Sequence, residues 1–548
     1  MKLLHPTRIL LPLVLILFWP NRSGLAQHAG HHGEHEAAGS DELILGAIDF
    51  PTSGSPEAQE AFLRGALALH SFWYPEARDH FRKAREVDPG FAMAYWGEAM
   101  THDHPLWLEL DTTAGRNVLA DLDAIVASGE VKWTEREKAF VDALRIIYAE
   151  GPPEDHRVRF ADAMQTLAKQ HPEDDEATVF AALARMTVPG FDGEKAEDVV
   201  AVAAPLEQIY QRSPNHPGAV HYLIHVYDSP VYAPMGLRVA RVYAEIAPAS
   251  SHAIHMPSHI FRELGMWEEM AASNERAYQA SIDWQERTGR PLSSRDYHAY
   301  EWMLDAYLKL GRYADARRLV DEFSVLVKKA EARGEDGQQM VVNGLGYELR
   351  YATAARLAGL PTPSVEVPPE IDASTLPAYT VGTVAEVASL AGDDSTYQKA
   401  VERLRYFLAL PTFAEYRNAV EAGLKAMKAE RMRAAGDLDG AVVLAREAME
   451  QELSEKETDF GYGTVKLAEL LLETGEAAEA AVLFERLMTR RPRDPRYTLG
   501  LARAFVRAGE PTAAAARYAE LADIWHAADA GIPALEEAVG FVPELADR

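Results

Sequence analysis

Residues 475–514 read GEAAEAAVLFERLMTRRPRDPRYTLGLARAFVRAGEPTAA. Gly475 and Gly509 stand 34 residues apart, and each opens a Gly-x4-Ala unit completed by Ala480 and Ala514. Phe484 follows Ala480 at an A-x3-F spacing, and Pro492 comes shortly after. That grammar predicts stacked pairs of antiparallel helices. Small residues let the two helices of a pair approach. The aromatic fills the space toward the next pair, and the proline stops the second helix. Ala77-x3-Phe81 with Pro89 repeats the pattern near the other end, with Gly65 in the preceding helix. Gly311/Ala316 and Gly436/Ala441 repeat the glycine–alanine unit, so at least five hairpins are recognisable.

Between these landmarks, Glu135–Ala149 and Val158–Lys169 carry apolar residues at helical spacing. No run alternates as a strand would. The expected class is therefore all-α, an α-solenoid of stacked helical hairpins. At 548 residues the chain is also too long for one ordinary core, which suits a repeat array or several domains.

Net charge is −29, with 84 acidic against 55 basic residues. A nucleic-acid surface needs Lys/Arg patches, so no nucleic-acid partner is expected; the acidity reads as solubility. Residues 1–26 read as a secretory signal. Lys2 and Arg8 make the charged front, Ile9–Trp19 the apolar run, and Gly24-Leu25-Ala26 the small-residue cleavage site. The run is short for a membrane span, so none is expected once the signal is cut. Losing it takes the charge from −29 to −32, because it holds Lys2, Arg8 and Arg22 and no acid. The expected location is exported, periplasmic or secreted. With no cysteine in the chain, there is no disulfide, no thiol catalysis and no thiolate ligand.

The domain reading is 1–26 signal, 27–55 a flexible His-rich segment (His28, His31, His32 and His35), 56–358 an N-terminal array, 359–377 a connection and 378–548 a C-terminal array. The connection rests on four prolines in Leu360–Leu376, which favour extended surface chain.

The chemistry-bearing residues gather in Asn215–Phe261. His221, His225 and Asp228 fall at i, i+4, i+7, one face of a helix. His252, His255 and His259 have nearly the same spacing. Asn215 or His216 can cap the first helix and Pro217 suits its first turn. Pro257 interrupts the second stripe, so its helix starts either at Ser251 or at Pro257. Imidazole is the commonest protein ligand of transition metals. The two stripes lie about one repeat apart and could face each other. They define a candidate site for zinc, copper or iron built from His221, His225, His255 and His259, with Asp228 and His252 as further ligands. The competing reading is a polar network that fixes one repeat against the next.

His70, His298 and the His102/His104 pair are too far apart in sequence to be joined to this site by spacing. His70 and His298 taken singly read as packed side chains. Trp73, Tyr74, Tyr95, Trp96 and Trp107 read as packing, and Glu173–Glu176 as a solvated helix start. No HExxH, G-x-S-x-G, Walker loop or dinucleotide fingerprint occurs.

Over nearly the whole chain after the signal, the sequence resembles the tetratricopeptide repeat superfamily. Residues 46–316 are also similar to a group of large exported bacterial repeat proteins with no assigned activity. That likeness is carried by His70-Ser-Phe-Trp-Tyr74, Ala92–Met100, His221-Tyr-Leu-Ile-His225 and His255-Met-Pro-Ser-His-Ile-Phe261. The resemblance implies a fold, export and a groove for a protein or peptide partner, and it implies no reaction. The expected function is a binding scaffold with a His-rich metal site. The alternatives are a metalloenzyme, hydrolytic or oxidative, using the same cluster with Glu263 or another carboxylate as general base, or a scaffold with no metal.

Overall fold

The computed structural model describes residues 43–542, apart from 108, 152, 336, 411, 412, 414, 415 and 455–460. The secretory signal and the histidines His28–His35 lie outside the described residues. The chain packs as two units: 43–260 with 273–289, and 261–272 with 290–542. Both are stacks of antiparallel helical hairpins. Among the described residues the β structure is one short ribbon, Asp103–His104 against Glu109–Leu110, and a single bridge between Phe91 and Lys132. None of the described helices is long and apolar enough to cross a membrane.

The first hairpin shows why the repeat grammar works. Ser55 caps the helix Pro56–His70 by accepting from the Ala58 N–H, and the second helix is Tyr74–Val87. Phe81 fills the gap between three helices. A Cβ on Gly65 would lie 2.8 Å from its ring, and one on Gly97, in the helix Ala92–Met100, 2.3 Å. The two glycines thus set how closely these helices approach.

Residues 43–55 are not free chain, which corrects the expectation for that end of the His-rich segment. Leu45 and Phe50 are buried, and the Phe50 ring meets Phe62 at 5.2 Å and Trp96 at 5.9 Å. Burial of these side chains, and backbone bonds such as Ala47 N–H to the Asn215 carbonyl at 3.0 Å, offset the cost of ordering the segment.

In the second unit the hairpins are regular. Tyr462–Thr474 pairs with Ala477–Arg490, and Pro495–Ala508 with Pro511–Ile524. Gly475 and Gly509 end the first helices in the left-handed region, at φ 103° and 77°, a conformation open to glycine at no steric cost. Ala316, Ala441, Ala480 and Ala514 are all fully buried. The proline-rich stretch lies inside this unit and does not divide the chain. Its apolar residues Ile371, Ala373 and Leu376 are buried with Val342, Val381 and Ala385. Proline forbids helix there, but it does not prevent the residues between from packing.

Candidate metal centre

In the first unit, the helix Pro217–Tyr227 carries His221 and His225 one turn apart. His216 caps it, its Nδ1 accepting from the Ala219 N–H at 3.3 Å. Gly218 lets the helix press against His70, since a Cβ there would stand 2.3 Å from the His70 Nδ1 atom. The second stripe resolves into both of the helices that the sequence allowed. Ser250 caps a five-residue helix, Ser251–His255, and Pro257 opens the next, Pro257–Glu263.

The stripes converge. Nε2 of His221 lies 3.0 Å from Nε2 of His225 and 3.2 Å from Nε2 of His252. These three ligand atoms all fall within 4.8 Å of one another. Nε2 of His255 lies 3.1 Å from Nε2 of His259. Ring centroids run round a closed circuit: His221–His225 4.7 Å, His225–His259 6.1 Å, His259–His255 5.1 Å, His255–His252 6.1 Å and His252–His221 5.0 Å. His252, a secondary candidate from sequence, is a full member.

The remaining ring nitrogens fix the protonation. His221 Nδ1 donates to the carbonyl of His70 at 2.6 Å, and His255 Nδ1 to Oδ1 of Asn274 at 2.7 Å. His259 Nδ1 donates to Oδ2 of Asp228 at 2.7 Å. A carbonyl or carboxylate oxygen only accepts, so in each neutral ring Nε2 is the acceptor nitrogen. His255 and His259 present these nitrogens to each other at 3.1 Å. Burial, and then the neighbouring imidazoles, hold His225 and His252 well below the usual histidine range. Burial and His225 do the same for His221. Neutral imidazoles, oriented through their outer nitrogens, are the form that coordinates metals.

Asp228 departs from its expected role as a ligand. It sits at the C-cap just past the helix and spends its carboxylate on His259. Glu263 departs from the proposed general base: it is buried in the second unit, paired to Arg262 at 3.0 Å and to Arg491. Its lone pairs are committed to guanidiniums.

One face of the circuit is aromatic. The Phe72 ring lies 4.4 Å from His221 and 5.7 Å from both His225 and His252, and Trp107 lies 5.7 Å from His252. Phe72 occupies the turn of the first hairpin at φ 49°, an uncommon backbone conformation for a bulky residue. His225, His252 and His259 are only partly buried, so solvent reaches the other edge.

His70 belongs to a second cluster behind the first. Its Nε2 donates to Oε2 of Glu176 at 2.7 Å, and its Nδ1 lies 3.2 Å from the Tyr222 hydroxyl. His216 Nε2 lies 3.3 Å from the other Glu176 oxygen. Glu176 is fully buried, which corrects the solvated-start reading; the capping residue of that helix is Asp174. Burial alone would raise the Glu176 carboxyl, but His70 and His216 outweigh it and hold it at about 2. Because His216 Nδ1 accepts the cap bond, its Nε2 carries the hydrogen in the neutral ring and faces Glu176, so His216 offers no nitrogen to an ion in this form.

The remaining histidines belong to other elements. His102 is pushed down to about 4, by burial and then by Arg78. His104 stacks on Tyr74 at 4.0 Å and bonds Glu109 at 3.0 Å. His298 lies on the helix Tyr297–Lys309 of the second unit, beside Trp302.

The sequence model of the tetratricopeptide repeat family matches residues 471–524, the last regular hairpins of the second unit. That match covers one stretch of the second unit, and both units are built of stacked antiparallel helical hairpins. No curated protein matches the sequence. Among solved structures, a human IFIT1 dimer with m7Gppp-AAAA is 12% identical over 87% of this chain and 92% of its own, at TM-score 0.37. Yeast Tom70 is 11% identical over 89% and 96%, at TM-score 0.32. The APC/C hetero-tetramer Cut9-Hcn1 is 11% identical over 88% and 76%, at TM-score 0.34. Likenesses at this level carry nothing about ligand or partner.

Proposed function

We propose that this protein is an exported repeat scaffold that docks a protein or peptide segment and binds a transition metal in its first unit, through His221, His225, His252, His255 and His259. One observation carries the metal reading. His255 and His259 face each other through Nε2 at 3.1 Å, while both Nδ1 atoms are already donating to oxygens. Two acceptor nitrogens at that distance are stabilised by a cation between them. A metal ion supplies that charge and satisfies both nitrogens. Zinc, copper and iron all accept imidazole, and the site has no sulfur to select among them.

Elemental analysis of the purified protein by mass spectrometry tests this. At least one equivalent of a transition metal is expected, as isolated or after reconstitution. Less than a tenth of an equivalent after reconstitution would leave a docking scaffold alone. Export rests on the reading of residues 1–26, and N-terminal sequencing of the secreted or periplasmic protein should begin at Gln27. The docking role rests on the repeat fold.

A metalloenzyme is the second reading. It is favoured by the three-imidazole set at His221, His225 and His252, since three protein nitrogens leave coordination positions for water or substrate.

A further inference from the structure

We infer that the imidazole circuit holds two metal ions, one in each of its two arcs. This rests on the metal reading above and deepens it. Five imidazoles in a ring around one ion, each at ~2.0–2.1 Å, would set neighbouring nitrogens only about 2.4 Å apart. The close neighbours here are 3.0, 3.1 and 3.2 Å apart. Those spacings instead match two ligands of one ion separated by about 90–110°, which stand ~2.9–3.4 Å from each other.

The circuit is also uneven. Its two longest edges, both 6.1 Å between centroids, cut it into the arc His225–His221–His252 and the arc His255–His259. Each arc has its own focus. The first supplies three nitrogens and the second two. Both take side chains from both stripes' surroundings: the first joins His252 to the helix of His221 and His225, and the second is braced by Asp228 from the end of that same helix.

Two ions placed this way share the space inside the circuit. A water that gives up one proton to the solvent would bridge them as hydroxide, as in sites whose ions lie about 3.5–4 Å apart. The solvent edge at His225, His252 and His259 admits it, and the Phe72 face does not. The two arcs differ in their ligands and in the outer partners of those ligands, so they load one after the other. Asp228 raises the basicity of His259 and supports the second arc.

The test uses the full chain without its signal, stripped with chelator and titrated with Zn²⁺ by calorimetry and with Cu²⁺ by electron paramagnetic resonance. Two equivalents of zinc are expected, with different affinities. The first equivalent of copper should give a mononuclear signal, and the second should diminish that signal through coupling across the bridge. The H255A/H259A double variant should bind one equivalent. If that variant fails to fold, Asp228→Asn keeps the side-chain shape and should weaken the zinc of the second arc ~10–100-fold while sparing that of the first. A single equivalent in the unmodified protein overturns the two-ion assignment and leaves the metal reading standing. A copper signal that doubles with the second equivalent overturns the bridge between the ions. No uptake at all overturns both the two-ion assignment and the metal reading.

Discussion

Gly218 stands so close to His70 that a Cβ at this position would lie 2.3 Å from the imidazole Nδ1 atom. The same His70 offers its carbonyl to His221 Nδ1 at 2.6 Å. One missing methyl group therefore lets the helix Pro217–Tyr227 settle onto the end of the first hairpin, and that seating aims the His221 nitrogen inward.

Gly218→Ala should be destabilising although alanine is the better helix former. The propensity gain is about 1 kcal/mol at most. Overpacking against a fully buried ring costs about 1–3 kcal/mol, and neither neighbour can give way cheaply. Thermal melts should show a lower midpoint, and metal content should fall with it. An unchanged midpoint would mean that His70 is not held as described.

Glu176→Gln should flatten the acid limb of stability. The carboxyl sits at about 2 in the fold against an ordinary 4.5, so its contribution is complete above pH ~4.5 and lost as pH falls toward 2. That shift corresponds to about 3 kcal/mol. The amide removes this dependence. It also turns an N–H toward one of the two histidine donors, at a cost of about 1–3 kcal/mol at neutral pH. Denaturant midpoints at pH 3 and pH 6 should converge in the variant and differ in the parent; equal slopes in both would refute the assignment.

Metal should stabilise the fold and chelator should remove that gain. At free metal 100-fold above the dissociation constant, linkage gives about 2.7 kcal/mol. The H221A/H225A variant should lose most of this response, because it keeps only one nitrogen of the larger arc. Calorimetric scans with and without Zn²⁺ read it directly, and an equal shift in both proteins would place the binding elsewhere.

Tyr74→Phe should be neutral or mildly stabilising. The Tyr74 hydroxyl is buried with no hydrogen-bond partner, and the ring stack on His104 at 4.0 Å does not need it. A loss above about 1 kcal/mol would show that the hydroxyl has a partner, such as an ordered water.

The repeat grammar made the hairpins legible, because Gly65, Phe81, Gly475 and Phe484 mark steric necessities that survive in the letters of the chain. The five imidazoles were legible too, since both stripes obey helical spacing. What spacing could not supply was the outer partners. Asn274 lies 19 residues beyond His255 in another helix. Glu176 lies 106 residues from His70 and looked like one more acid in a charged run. Asp228 was placed on the right face but one residue past the end of the helix, where it reaches His259 instead of an ion. Nothing local announces the backbone conformation of Phe72 or its position over three histidines. The proline-rich stretch misled because proline reports on backbone and not on burial.

The larger arc takes two nitrogens from the helix Pro217–Tyr227 and one from the segment that opens at Ser250. An ion there is a rivet through two adjoining layers of the stack. Riveting stiffens the layers against sliding, and by reciprocity anything that slides them loosens the rivet. A guest that bends this part of the array on docking would therefore lower its grip on the ion, and a loaded array would resist such a guest.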